Sequence, residues 1–317
     1  MVAGILFALA AGLMWGLIFV GPLLIPDYPG PLQSAGRYVA FGLVVLPLAW
    51  LDRQRLRRLA RKDWLEALKL SLVGNLLYYA FLASAIQRTG APISTMIIGT
   101  LPVVITLTAN LCYGHLEGRL AWRQLAPALV LIVLGLGCVN AAELRMQGPT
   151  FDAGRYVSGL LLAALAVACW TWYPLRNGVW LRAHPQHKPS TWATAQGLTT
   201  LPLATLFYLL VCAQLYWQQP AFSLPFGPQP GRFLLLMACI GLLCSWLGTL
   251  CWNAASQRVP TVIMGPLIVF ETLAGLLWTF LWRQSWPPLL TACGIVCLLA
   301  GVLLAMRVKP QPQVTSL

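Results

Sequence analysis

Apolar stretches of about twenty residues follow one another along almost the whole chain. A helix that crosses a bilayer needs ~20 mostly apolar residues. Ten such stretches fit, near 3–25, 32–51, 64–86, 93–113, 124–142, 157–179, 191–217, 232–256, 261–282 and 286–306. In lipid, only helices and closed barrels satisfy their own backbone groups. Barrel strands are shorter and alternate in polarity, and these stretches do not alternate. Only 9% of the 317 residues are charged, against ~25% in a soluble domain. The sequence therefore predicts an all-α integral membrane protein. The first stretch reads as a retained helix rather than a leader, because no basic region precedes it and the apolar run continues to Val20.

The chain repeats itself. Gly4, Leu6, Ala8, Ala11 and Trp15 match Gly159, Leu161, Ala163, Ala166 and Trp170, all 155 residues apart. Ala85, Gln87 and Arg88 match Ala255, Gln257 and Arg258 at an offset of 170, and each set is followed by a proline, Pro92 and Pro260. Trp122 and Gly137 match Trp286 and Gly301 at an offset of 164. Each half holds five predicted spans, and an odd number makes the second half enter the membrane upside down. The expected organisation is ten transmembrane helices as two five-helix inverted repeats, 1–142 and 156–307. A linker at 143–155 would join them, and a tail would follow at 308–317.

A net charge of +13 could suggest nucleic acid, but the positions point to topology. Six basic residues, from Arg53 to Lys62, crowd one loop between spans. Basic loops mark the cytoplasmic side. With that loop inside, Arg119, Arg123, Arg182, Lys188, Arg258, Arg307 and Lys309 fall on the same side. Only Arg88, Arg145, Arg155, Arg232 and Arg283 fall opposite. Both termini are then cytoplasmic, the linker is periplasmic, and the basic loop meets anionic headgroups rather than a nucleic acid.

All nine cysteines lie in apolar stretches without CxxC spacing, so no disulfide and no metal site is expected. His115, His184 and His187 lie in loops with no cysteine or carboxylate partner set, and read as solvated rather than metal-binding.

The five-plus-five pattern, Trp15-Gly16 in the first helix and the run GPLIVFE ending at Glu271 resemble the EamA family of the drug/metabolite transporter superfamily. The resemblance covers nearly the whole chain. It implies a ten-helix carrier of the bacterial inner membrane, an exporter of small metabolites, without implying which one.

Polar residues at membrane depth are the candidate site. Glu271 is the one acid placed mid-span, between Phe270 and Thr272. The other seven acids, Asp27, Asp52, Asp63, Glu66, Glu117, Glu143 and Asp152, lie in loops or at helix ends. A carboxylate at the bilayer centre costs ~3 kcal/mol on insertion scales, so it should face protein or a wet cavity. It reads either as a relay or cation hook or as a protonated bridge between helices. Arg37 can pair with Glu271, attract an anionic group, or snorkel to the headgroups. Asn75, Tyr78, Tyr79, Asn110, Trp15, Trp170, Trp172, Trp252 and Asn253 can complete a polar, aromatic cavity, with Asn75 and Tyr79 on one helical face. Interfacial belts and helix bridges are the competing explanation for these residues. Gly12 and Gly16 form a GxxxG pair suited to close helix packing. Pro102 and Pro174 fall within spans and free backbone carbonyls.

These features describe a secondary carrier that moves a small-molecule solute, amino-acid-like or drug-like, by alternating access. Proton coupling through Glu271 would drive it, with no cofactor. The oligomeric state stays open. A membrane-embedded enzyme is the alternative, but it needs a nucleophile and base in reach, and no histidine lies in a span. A sensor or assembly factor would need a soluble domain or a long loop, and the loops are short.

Overall fold

The computed structural model describes residues 1–112, 122–145, 152–260, 263–264 and 267–308. Among them the chain is helical and contains no strand. His115, Glu117, Arg119 and Lys309 lie outside the described residues, as do Gly265 and Pro266, residues 146–151 of the linker and nearly all of the tail.

The rods are α1 (Val2–Leu24), α2 (Gly30–Leu51), α3 (Arg61–Thr89), α4 (Ala91–Ile98), α5 (Leu101–Cys112) and α6 (Trp122–Arg145). After residues 146–151 come α7 (Ala153–Ala183), α8 (Pro189–Gln218), α9 (Pro230–Ser256), α10 (Val269–Arg283) and α11 (Leu289–Arg307). The helices α2, α4, α8 and α9 each open on a proline in the first turn, where its missing N–H leaves no bond unmade. At the far end of α10, Gln284 adopts a left-handed conformation (φ 49°) and closes the helix.

Seven described helices are long and apolar enough to cross a membrane. The remaining predicted spans are interrupted or short. The stretch 93–113 breaks at Gly99 and Thr100, and Pro102 starts α5 rather than kinking a continuous rod. In the stretch 261–282, residues 263–264 and 267 are helical, the chain turns at Ile268, and α10 runs on from Val269. Pro174 does lie inside a continuous helix, α7.

Two rods change pitch midway. Residues Ser71–Leu77 of α3 and Gly241–Leu247 of α9 are π-helical. Their starts are 170 residues apart, the same offset that aligns Gln87 with Gln257. Side chains from neighbouring rods bond to carbonyls within both. Ser34 Oγ donates to the Leu76 carbonyl at 3.0 Å, and Trp15 Nε1 donates to that of Cys244 at 2.7 Å. Such bulges concentrate at functional sites.

Packing follows the duplication. The helix α1 lies against α9 and α10, and its sequence match α7 lies against α3 and α4. Likewise α2 meets α9 while α8 meets α3. The contacts of α2 with α8 and of α6 with α11 join the halves directly. Where the halves meet, the largest buried side chains are aromatic and include Tyr78, Tyr173 and Trp252.

Candidate functional site

Two glycines place the central carboxylate. A methyl group on Gly12 would fall 3.0 Å from the Glu271 backbone nitrogen, and one on Gly16 would fall 2.5 Å from Ala274 Cβ. The GxxxG surface of α1 therefore lets the first turns of α10 come into backbone contact. Glu271 lies in the first turn of α10, just after the turn at Ile268, where the positive end of the helix dipole favours a carboxylate.

Glu271 is 1% exposed and Arg37 is 3% exposed. The Tyr78 hydroxyl donates to Glu271 Oε1 at 3.3 Å, while Oε2 has no hydrogen-bond partner. Arg37 does not snorkel. Its Nε donates to Ser245 Oγ in the α9 π-segment at 2.9 Å, and its guanidinium lies 4.5 Å from the Tyr79 ring centre and 4.9 Å from that of Tyr38. Its Nη1 has no partner. The two charges do not touch as an ion pair, yet both line one internal cavity. That cavity measures about 10 Å³, room for one water. In this conformation the site is closed.

Aromatic rings wall it. Trp170 stacks on Tyr78 at 4.5 Å and on Tyr173 at 4.9 Å, and meets Trp15 edge-on at 5.0 Å. Trp15 also meets Trp252 at 5.2 Å. The indole nitrogens of Trp170 and Trp252 are buried without hydrogen-bond partners.

Of the residues singled out in the sequence, Glu271, Arg37, Trp15, Asn75, Tyr78 and Trp170 line this cavity together. Trp252 backs it through Trp15. Tyr79 does not line the cavity itself but sits beneath Arg37, its ring centre 4.5 Å from the guanidinium. Asn110 is buried on α5 but does not line the cavity. Trp172 is 37% exposed and points away from it.

Asn253 belongs to a second polar cluster. It accepts from Asn177 Nδ2 at 2.8 Å, and the Asn177 oxygen accepts from Trp192 Nε1 at 2.7 Å and Gln196 Nε2 at 2.9 Å. The Tyr173 hydroxyl donates to Gln196 Oε1 at 2.9 Å, and Asn75 Nδ2 donates to Thr200 Oγ1 at 3.0 Å. This cluster joins the central cavity to the end of the bundle that carries the Arg53–Lys62 loop.

That end is tied shut by acids expected at helix ends. Glu66 pairs with Arg176, Asp63 accepts from Trp180 Nε1 at 3.2 Å, and Asp52 accepts from the Thr191 hydroxyl. His184 and His187 lie in the loop after α7, as expected, and are partly exposed. Both stack on Trp180, at 4.4 and 5.8 Å, and Trp192 stacks on the same ring at 3.5 Å. His184 Nε2 also lies 4.0 Å from Asp63 Oδ1 of α3, a neighbour that sequence spacing cannot show.

Sequence reasoning missed Tyr38, Cys244, Ser245 and Thr249, which also line the cavity. Ser245 was within reach of it, because it lies 170 residues after Asn75, the offset already visible in the repeat.

Comparison with known proteins fits this architecture. The description "EamA-like transporter family" matches residues 2–141. The inner membrane protein YtfF of Escherichia coli K12 is 62% identical over 316 residues, covering 100% of this chain and 98% of that protein. An uncharacterized transporter of Archaeoglobus fulgidus is 23% identical over 84% of each chain. A crystal structure 19% identical superposes with a TM-score of 0.69 over 95% of this chain and 96% of the other, which shows a shared fold. The family and these relatives point to a membrane transporter rather than an enzyme. Matched by the family description through its first half and by YtfF along its full length, the chain belongs to the EamA-like transporter family.

Proposed function

We propose that the protein is a secondary carrier that exports a small metabolite, amino-acid-like or drug-like, across a bacterial inner membrane by alternating access. The observation that carries this reading is the central cavity. It holds two buried opposite charges, Arg37 and Glu271, each with one atom lacking a partner. Leaving buried charged groups half-satisfied costs free energy, and a solute that bears both an anionic and a cationic group would complete them. The aromatic rings of Trp15, Tyr78 and Trp170 would hold its apolar part. A cavity too small for a solute belongs to a closed state, so binding requires one side to open first. The acid-held end near the basic loop would be one gate.

The ten-helix, inverted-repeat organisation of 1–142 and 156–307 is part of the proposal. It is supported by the π-segments 170 residues apart and by packing pairs that exchange between halves. The start of α5 at Leu101 and of α10 at Val269, each after a break, supports it too. Both termini would be cytoplasmic, with Glu271 carrying the coupled proton.

Counterflow in proteoliposomes, run against a broad panel of metabolites, tests the carrier reading. At least one doubly charged solute should exchange faster than in empty vesicles. Folded, reconstituted protein that exchanges nothing in the panel would overturn it.

A further inference from the structure

Basic residues are few at the end of the bundle away from the Arg53–Lys62 loop, yet two of them share a pocket there. It encloses about 530 Å³ between the start of α2, the end of α3 and the start of α7. Pro29 and Pro31 form one side, Ser84 and Gln87 the floor, and Arg88 and Arg155 bring the charge. Arg88 Nη1 donates to Ser158 Oγ at 2.9 Å, and Arg155 Nη2 donates to the Gln87 carbonyl at 2.8 Å. Each bond crosses between α3 and α7 and uses one of the five donors of its guanidinium. The two cations are thereby fixed near one another, with donors to spare.

No carboxylate lines this pocket among the described residues. Asp152, the nearest acid in sequence, is turned to the Arg155 backbone N–H at 3.0 Å, where it caps α7. The arrangement is not an automatic product of the duplication. Arg258 matches Arg88 in the second half, but its Nη1 folds back onto the Ala254 carbonyl of its own helix at 2.6 Å.

We propose that this pocket binds a phosphate group. Guanidinium forks match phosphate oxygens in geometry and charge. The volume exceeds what a lone ion needs, so the phosphate would belong to a headgroup or a small ester whose remaining part lies along Pro29 and Pro31. A phospholipid headgroup and a soluble phosphate share this chemistry, and two measurements separate them.

The full-length protein in detergent, equilibrated with phosphatidylglycerol and read by native mass spectrometry, reports retained lipid. Inorganic phosphate titrated into the same protein, with melting temperature as the readout, reports the soluble anion. Binding is expected in at least one arm. Arg155→Gln and Arg88→Gln should each weaken it on the order of tenfold or more, and Arg155→Lys should fall between, since it keeps the charge and loses the fork. Both arginines are exposed and each variant loses one α3–α7 hydrogen bond, so the ligand-free melting temperature should fall only slightly. Lipid retention alone assigns a headgroup site, and a phosphate-dependent rise assigns a soluble one. Absence of binding in both arms, or binding equal in wild type and both glutamine variants, overturns the proposal.

Discussion

Replacing Arg37 with methionine separates a structural role from a transport role. An arginine within a span costs up to ~3 kcal/mol on insertion scales. Against this stands the bond from Nε to Ser245 at 2.9 Å, ~1.5–3 kcal/mol for a charged donor. The ring contacts with Tyr79 and Tyr38 at 4.5 and 4.9 Å add ~0.5–2 kcal/mol each. The partnerless Nη1 takes back ~1–3 kcal/mol. These terms nearly cancel, as they often do for buried charges. Arg37→Met, which keeps the length of the side chain and its flexibility, should therefore shift folding free energy by less than ~2 kcal/mol in either direction. Transport should behave differently. Losing one charged contact to the solute costs ~1.5–3 kcal/mol, roughly a ten- to hundredfold loss of flux at low solute. Melting scans of purified protein and counterflow at equal reconstituted protein measure the two effects. Wild-type flux in Arg37→Met would refute the binding role. A collapse of the melting temperature would show that Arg37 chiefly holds α2 to α9.

Other consequences follow from the same geometry. Gly16→Ala should destabilise the protein by ~1–3 kcal/mol through overpacking, and more than Gly12→Ala, because its methyl falls 2.5 Å from Ala274 Cβ rather than 3.0 Å from a backbone nitrogen. Equal melting temperatures for the two variants would contradict the close approach of α1 and α10. Reporter fusions after Lys62 and at Leu317 should both give cytoplasmic signals, because basic residues concentrate on that side. A periplasmic signal at either site would reverse the proposed orientation.

The parts of this protein that were legible in the sequence are those encoded by nearby residues or by the duplication. Apolar run length located most of the rods. The match of Trp15 with Trp170 located two walls of the cavity, and Gly12 and Gly16 marked the contact that positions Glu271. Pitch was not legible. A π-turn needs one extra residue per turn and no special composition, so nothing in the runs Ser71–Leu77 and Gly241–Leu247 announced their pitch. Long-range partners were not legible either. Asp63 and Glu66 look like ordinary helix-end acids until Trp180 and Arg176 arrive from more than a hundred residues away. Trp172 shows the same limit from the other side. It lies two residues from Trp170, and on a helix that spacing turns it to a different face.

Glu271→Gln provides the most direct test of the central claim, that Arg37 and Glu271 form the translocation site and that the carboxylate carries the coupled proton. Glutamine keeps the shape and can still accept from Tyr78, but it cannot titrate. With an exchanged solute in hand, flux is measured in proteoliposomes across a pH series, for exchange at equal solute and for uptake driven by a proton gradient. The account predicts that exchange persists, that gradient-driven flux falls to the level without a gradient, and that its pH dependence disappears. Normal gradient-driven, pH-dependent flux in the glutamine variant would contradict it and leave Glu271 as a bridge between α10 and Tyr78 of α3.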